Sequence, residues 1–130
     1  MGYYSDVAIA ISKRDSLELI RRATERPDGD IVKWLLLERM DQHNLDDIDP
    51  SPDGVYILRW YGIKWYEEFS EVKYVMDFIR ALGEGNYEYV RIGEEDTDVE
   101  HEGDIGGDQC LYLERTICFD PSQLPLHGDY

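Results

Sequence analysis

Eight carboxylates, Glu94, Glu95, Asp96, Asp98, Glu100, Glu102, Asp104 and Asp108, fall within fifteen residues that contain no Lys or Arg. Carboxylates at this density can hold a divalent cation, share protons in acid–base chemistry, or imitate the spaced charges of a nucleic-acid backbone. The cation reading starts from Asp98, Glu100, Glu102 and Gly103, which resemble positions one, three, five and six of an EF-hand loop. It fails further on. Glutamates stand where shorter side chains are usual, and the twelfth position is Gln109, so no metal ligand is assigned. Paired carboxylates are too common in so acidic a chain to mark a hydrolase. The remaining chemistry is electrostatic: acids spaced along a surface repel nucleic acid and attract the basic groove that holds it.

A second acidic stretch, Asp41 to Asp53, carries five aspartates, two prolines and no Lys or Arg. Its residues Asp46, Asp47, Asp49 and Asp53 join the eight above as expected partner contacts. The rival recognition element is aromatic. Trp60, Tyr61, Trp65, Tyr66 and Phe69 combine apolar area with polar handles, and Trp60, Trp65 and Tyr66 are the alternative partner contacts. His43, His101 and His127 are widely separated, Cys110 and Cys118 lack metal-ligand spacing, and Ser12 and Ser70 sit in no nucleophile motif. The sequence therefore assigns no catalytic residue and calls for no cofactor.

The whole chain follows the same electrostatic bias. Its 130 residues hold 29 Asp and Glu against 13 Lys and Arg, a net charge of −16, which disfavours nucleic acid and anionic membranes as partners. A hydrophobic fraction of 42%, with ten Tyr and three Trp, is too rich for an acidic disordered chain, so a folded domain is expected. On one extended strand Cys110 and Cys118 would lie about 26 Å apart, beyond disulfide reach. Two reduced thiols, with no signal-peptide pattern and no long apolar run, lead to the expectation of a cytoplasmic protein.

These side chains need elements to position them. Tyr3 to Ser12 places Val7, Ile9 and Ile11 on one parity and Ala8 and Ala10 on the other, which reads as a central strand whose small-residue face a helix can approach. Asp15 and Glu18 suggest a capping box for the first helix, and Asp30 can cap a second with Ile31, Trp34, Leu35 and Glu38 on one stripe, the alternative being a partial strand around Val32 to Leu37. Val55 to Tyr66 reads as a hairpin or one strand bent at Gly62. Ser70 then caps an amphipathic helix through Val72, Val75, Met76, Ile79 and Leu82, which Gly83 and Gly85 end. Tyr87 to Ile92 and Leu111 to Phe119 are strand candidates. The sum is an α+β fold, a single sheet with helices on one face in a ferredoxin-like layout. One domain is expected over 1–120, with acidic loops at 41–53 and 94–108, followed by an irregular tail at 121–130.

Three pieces of the chain also carry a resemblance: Met1-Gly2-Tyr3-Tyr4-Ser5-Asp6-Val7-Ala8, Lys64-Trp65-Tyr66 with Glu71-Val72, and Tyr89-Val90-Arg91-Ile92-Gly93-Glu94-Glu95. Together they resemble a group of small bacteriophage and prophage proteins. The resemblance implies a viral origin and action in the host cytoplasm, and carries over no functional residue. Inhibitors of host defence, anti-CRISPR proteins among them, are one class of phage protein with this size and charge.

The function expected is that of an acidic, non-enzymatic protein that binds and inhibits a basic, nucleic-acid-binding host protein. The alternative is a structural or regulatory interaction protein working through its aromatic surface. A small enzyme with a noncontiguous site stands third.

Overall fold

The computed structural model describes residues 2–43, 54–95, 97–107, 111–113 and 117–119. Strand β1 (Ser5–Ser12) leads directly into helix α1 (Lys13–Ala23). The cap is Ser12, whose hydroxyl accepts from the Asp15 N–H, so the helix begins ahead of the expected Asp15 cap. Helix α2 (Gly29–Lys33) continues as a π-helical turn, Trp34–Glu38. There follow β2 (Asp41–His43), β3 (Val55–Ile63), α3 (Ser70–Ala81), β4 (Asn86–Ile92), β5 (Val99–Ile105), β6 (Leu111–Leu113) and β7 (Ile117–Phe119). Phe69, not Ser70, occupies the cap position of α3.

Strands β2-β3-β1-β4-β5 lie side by side in that order, and every neighbouring pair is antiparallel. Within it, the order β4-β1-β3-β2 is that of a ferredoxin-like βαββαβ unit, to which β5 adds one edge strand. The expected α+β architecture, with helices on one face of the main sheet, is the one the chain forms.

Strand alternation builds the two faces. Val7, Ile9, Ile11, Tyr56, Leu58, Trp60, Tyr87 and Tyr89 point to the helical side, where they bury Leu19, Val32, Leu35, Val72, Val75, Met76 and Ile79. Ala8, Ala10, Ile57 and Val90 point the other way and pack with Leu111 and Ile117. The expected helix on the alanine face is therefore a hairpin. Leu111 to Phe119 is not one strand, since β6 pairs antiparallel with β7 and Leu111 faces Phe119. The distance argument against pairing Cys110 with Cys118 falls with it, and Cys110 lies outside the described residues.

One bent strand, not a hairpin, runs from Val55 to Ile63. The register against β1 slips between Ser5 and Val7, and Gly62 takes the positive φ of 56° that such a bend requires. Among the described residues, no helix is long and apolar enough to cross a membrane.

Candidate partner-binding pocket

The middle of the acidic segment is a strand. Residues 99–105, expected within a loop, form β5 and pair with β4 along their whole length, so that Tyr89 faces Glu102 and Arg91 faces Glu100. Gly103 is required within it: at φ 77°, a side chain would run into the Tyr87 carbonyl. Alternation sends Glu100 and Glu102 to the side on which Tyr87, Tyr89 and Arg91 stand.

Two arginines organise these carboxylates. Arg91, with only 11% of its side chain exposed, makes a bidentate contact to Asp98 at 2.6 and 3.2 Å, reaches Glu100 at 2.9 Å through Nε and donates to the Ser5 hydroxyl at 2.9 Å. Arg80 on α3 pairs with Glu102 at 2.8 Å and with Glu67 at 2.7 Å. Hydrogen bonds from Arg91 hold Asp98 and Glu100 below the usual carboxylate range, and Arg80 does the same to Glu102. The Tyr89 hydroxyl donates to Glu100 at 2.8 Å, and burial pushes its pKa up.

The N-terminal segment and the stretch after β3 close the site. The Tyr3 hydroxyl accepts from the Glu95 N–H at 3.1 Å and hydrogen-bonds Asp98, while the Tyr3 N–H donates to the Tyr66 hydroxyl at 2.7 Å. A side chain on Gly93 would meet the Asp98 carboxylate and the Tyr3 ring and displace them from their present contacts. Between these parts opens a pocket of about 320 Å³ lined by Tyr3, Ser5, Trp65, Tyr66, Glu67, Glu68, Arg91, Asp98 and Glu100. One guanidinium against four carboxylates leaves this lining three charges negative. The indole N–H of Trp65 is buried and meets no acceptor among the described residues.

The expected contacts separate under this geometry. Asp98, Glu100 and Glu102 are engaged by arginines and do not stand free as phosphate imitations. Nor do they encircle a cation, for the EF-hand-like spacing lies on an extended strand. Glu94 is exposed and accepts from the Tyr4 N–H at 2.8 Å, Glu95 is exposed beside Tyr3, and Asp104 accepts from the Gly107 N–H at 2.9 Å. Asp46, Asp47, Asp49, Asp53, Asp96 and Asp108 lie outside the described residues, as does the tail at 121–130.

The strand order keeps the two acidic stretches apart where they are described. Asp41 to His43 forms β2, four strand spacings or about 19 Å from β5 across the sheet. Gly54, at the far end of the 41–53 stretch, accepts from the Lys13 N–H, at the end of the sheet opposite Glu94 and Glu95.

Trp60 and Trp65 are core residues, which corrects the aromatic-surface expectation. Trp60 is fully buried, donates to the Leu35 carbonyl at 2.9 Å and packs on Trp65 with ring centroids 4.9 Å apart; Trp65 is 5% exposed. Tyr66 is half-buried and turns its hydroxyl inward to Tyr3. What the sequence reading missed is that the acidic and aromatic elements meet in one pocket, through Tyr3, Ser5, Glu67, Glu68, Arg80 and Arg91. Glu67 and Glu68 directly follow Trp65 and Tyr66, and that adjacency was the available signal.

No family model, curated protein or solved structure matches this chain. Among the described residues no group of three or more His, Cys, Asp and Glu side chains is placed to hold a metal ion.

Proposed function

We propose that this protein is a non-catalytic binding protein that captures a basic partner, presenting the pocket between β5 and residues 65–68 to a lysine or arginine side chain. The observation that carries the reading is the composition of that one pocket, with three aromatic residues beside four carboxylates and a single arginine that is ion-paired to two of them. Aromatic faces and carboxylates both favour a cation, and Arg91 gives four of its five N–H donors to Ser5, Asp98 and Glu100 and has its charge matched by two carboxylates, which disfavours recruitment of an anion. The net charge of −16 supports the same partner at longer range by speeding encounter with a positive surface. Where that surface is a nucleic-acid-binding groove, occupation by this protein excludes the nucleic acid, which is the action of an inhibitor of phage type.

Among the described residues, Glu68 in the pocket lining and Glu94 and Glu95 beside Tyr4 and Tyr3 have no arginine partner, and they are the partner contacts. The test is calorimetric titration of an arginine-rich peptide into the wild type, into Glu68→Gln/Glu94→Gln/Glu95→Gln, and into Asp30→Asn/Glu38→Gln/Glu84→Gln. Both variants lose three charges, but only the first touches the pocket region. Affinity falls at least tenfold in the first and much less in the second. Equal losses in the two reduce the effect to net charge and overturn the assigned site.

A further inference from the structure

A second concavity of opposite character lies on the other side of the same chain segment. It is an apolar groove of about 350 Å³ whose lining includes Tyr4, Ile31, Trp34 and Phe69. These four are half of the large hydrophobic side chains that the described residues leave exposed. Buried Leu35, Ile63 and Val72 also line it. The stripe expected on the second helix divides here, for Leu35 turns into the core while Ile31 and Trp34 stay at the surface, where α2 gives way to the π-helical turn. Such turns recur at functional sites.

The rim of the groove is basic. Arg39 donates to the carbonyls of Tyr61 at 3.1 Å and Gly62 at 3.5 Å, and Lys64 lies 5.8 Å from the centroid of the Tyr4 ring. Neither meets a carboxylate among the described residues, where Arg21, Arg22, Arg26, Lys73, Arg80 and Arg91 are all ion-paired. The one acid in the lining is Glu71, in the first turn of α3, which leaves the lining side chains one charge positive, with Glu94 and Asp6 bonded at 2.8 Å to the N–H groups of Tyr4 and Gly62 at its edge. An apolar trough flanked by two cations that have no carboxylate partner among the described residues is complementary to an apolar group that carries a carboxylate beside it.

We infer that this groove docks an amphipathic peptide segment of a partner protein, with an aliphatic or aromatic anchor in the trough and an adjacent Asp or Glu on Lys64 and Arg39. A second copy of the chain is a poor occupant, because two molecules of charge −16 repel. The inference assigns no contact to the carboxylates of the acidic pocket, although Glu94, a contact in that reading, accepts from the N–H of Tyr4 in the groove lining. Residues 63–69 serve both sites, with Lys64 and Phe69 lining the groove and Trp65 to Glu68 the pocket.

The experiment uses two acetylated, amidated ten-residue peptides with the same Leu and Phe anchors, one flanked by Asp and Glu and the other by Lys. Each is titrated into the full chain while tryptophan emission is followed, with Trp34→Phe identifying the signal of the half-exposed Trp34. The acidic peptide shifts Trp34 emission, and Arg39→Glu/Lys64→Glu weakens it at least tenfold with the far-ultraviolet circular dichroism unchanged. Simple charge attraction to a −16 protein makes the opposite forecast and favours the lysine peptide. An equal or larger Trp34 response to the lysine peptide, or an acidic-peptide affinity unchanged in the double variant, overturns the inference. So does a concentration-dependent dimer in sedimentation that blocks the peptide, which assigns the groove to a second copy.

Discussion

Arg91 on β4 holds Asp98, at the approach to β5, through two hydrogen bonds of 2.6 and 3.2 Å, and that pair ties the acidic segment to the sheet. With its third side-chain nitrogen on Glu100 and its reach to Ser5 on β1, the same guanidinium joins β1, β4 and β5. A segment that repels itself is thereby fixed beside Trp65 and Tyr66.

Removal of Arg91 should cost much more than removal of an exposed pair. Arg91→Ala strands two carboxylates and destabilises the protein by about 2 kcal/mol or more. Lys73→Ala, which breaks an exposed helical pair to Asp77, costs less than about 0.5 kcal/mol. Urea midpoints of the two variants check this, and equal midpoints contradict the anchoring role.

The same network sets a response to acid. Asp98, Glu100 and Glu102 are all shifted down from ordinary values of 3.8 and 4.5, so the unfolded chain takes up these protons before the folded one does. Their contribution is complete above those ordinary values and is lost as pH falls through the lower folded ones. Melting temperature is therefore expected to drop below about pH 4.5, and to drop less in Arg91→Gln. A drop of the same size in that variant removes the network as its cause.

Tryptophan substitutions should divide sharply. Trp60→Ala opens a void in the core, leaves the Leu35 carbonyl without its donor and costs about 3–5 kcal/mol. Trp34→Ala costs no more than about 1 kcal/mol. Denaturation of both variants by one method decides, and a Trp34 cost as large as that of Trp60 assigns the groove residue to the core.

Beneath the hairpin, the fully buried Glu88 accepts the Leu111 N–H at 3.2 Å and lies 2.7 Å from His101 Nε2. Glu88→Ala strands that amide at a local cost of about 1–3 kcal/mol. Hydrogen exchange at Leu111 should accelerate while exchange in α3 stays slow. Unchanged protection at Leu111 means that apolar packing alone holds the hairpin.

Much of this fold was legible because period and face agreed. Val7, Ile9 and Ile11 against Ala8 and Ala10 announce a strand buried on both sides, and Val72, Val75, Met76 and Ile79 announce the third helix. Strand β5 was hidden by composition. Asp98, Glu100 and Glu102 alternate with Val99, His101 and Gly103, but acids and glycine disfavour strands, and the arginines that offset this lie on α3 and β4. Trp60 shares its parity with Tyr56 and Leu58, which points inward; Trp65 lies beyond the bend at Gly62, where parity carries no information. The pocket needs Tyr3, Tyr66 and Asp98 from three distant segments, and no local pattern encodes that meeting.

The most direct test of the central claim is affinity capture from bacterial cell lysate with tagged wild type and with Glu68→Gln/Glu94→Gln/Glu95→Gln in parallel, the retained proteins being identified by mass spectrometry. The account predicts that wild type retains a basic, nucleic-acid-binding protein, releases it at high salt, and that the variant does not retain it. Retention of the same partner by both proteins would contradict the assignment of these carboxylates to recognition.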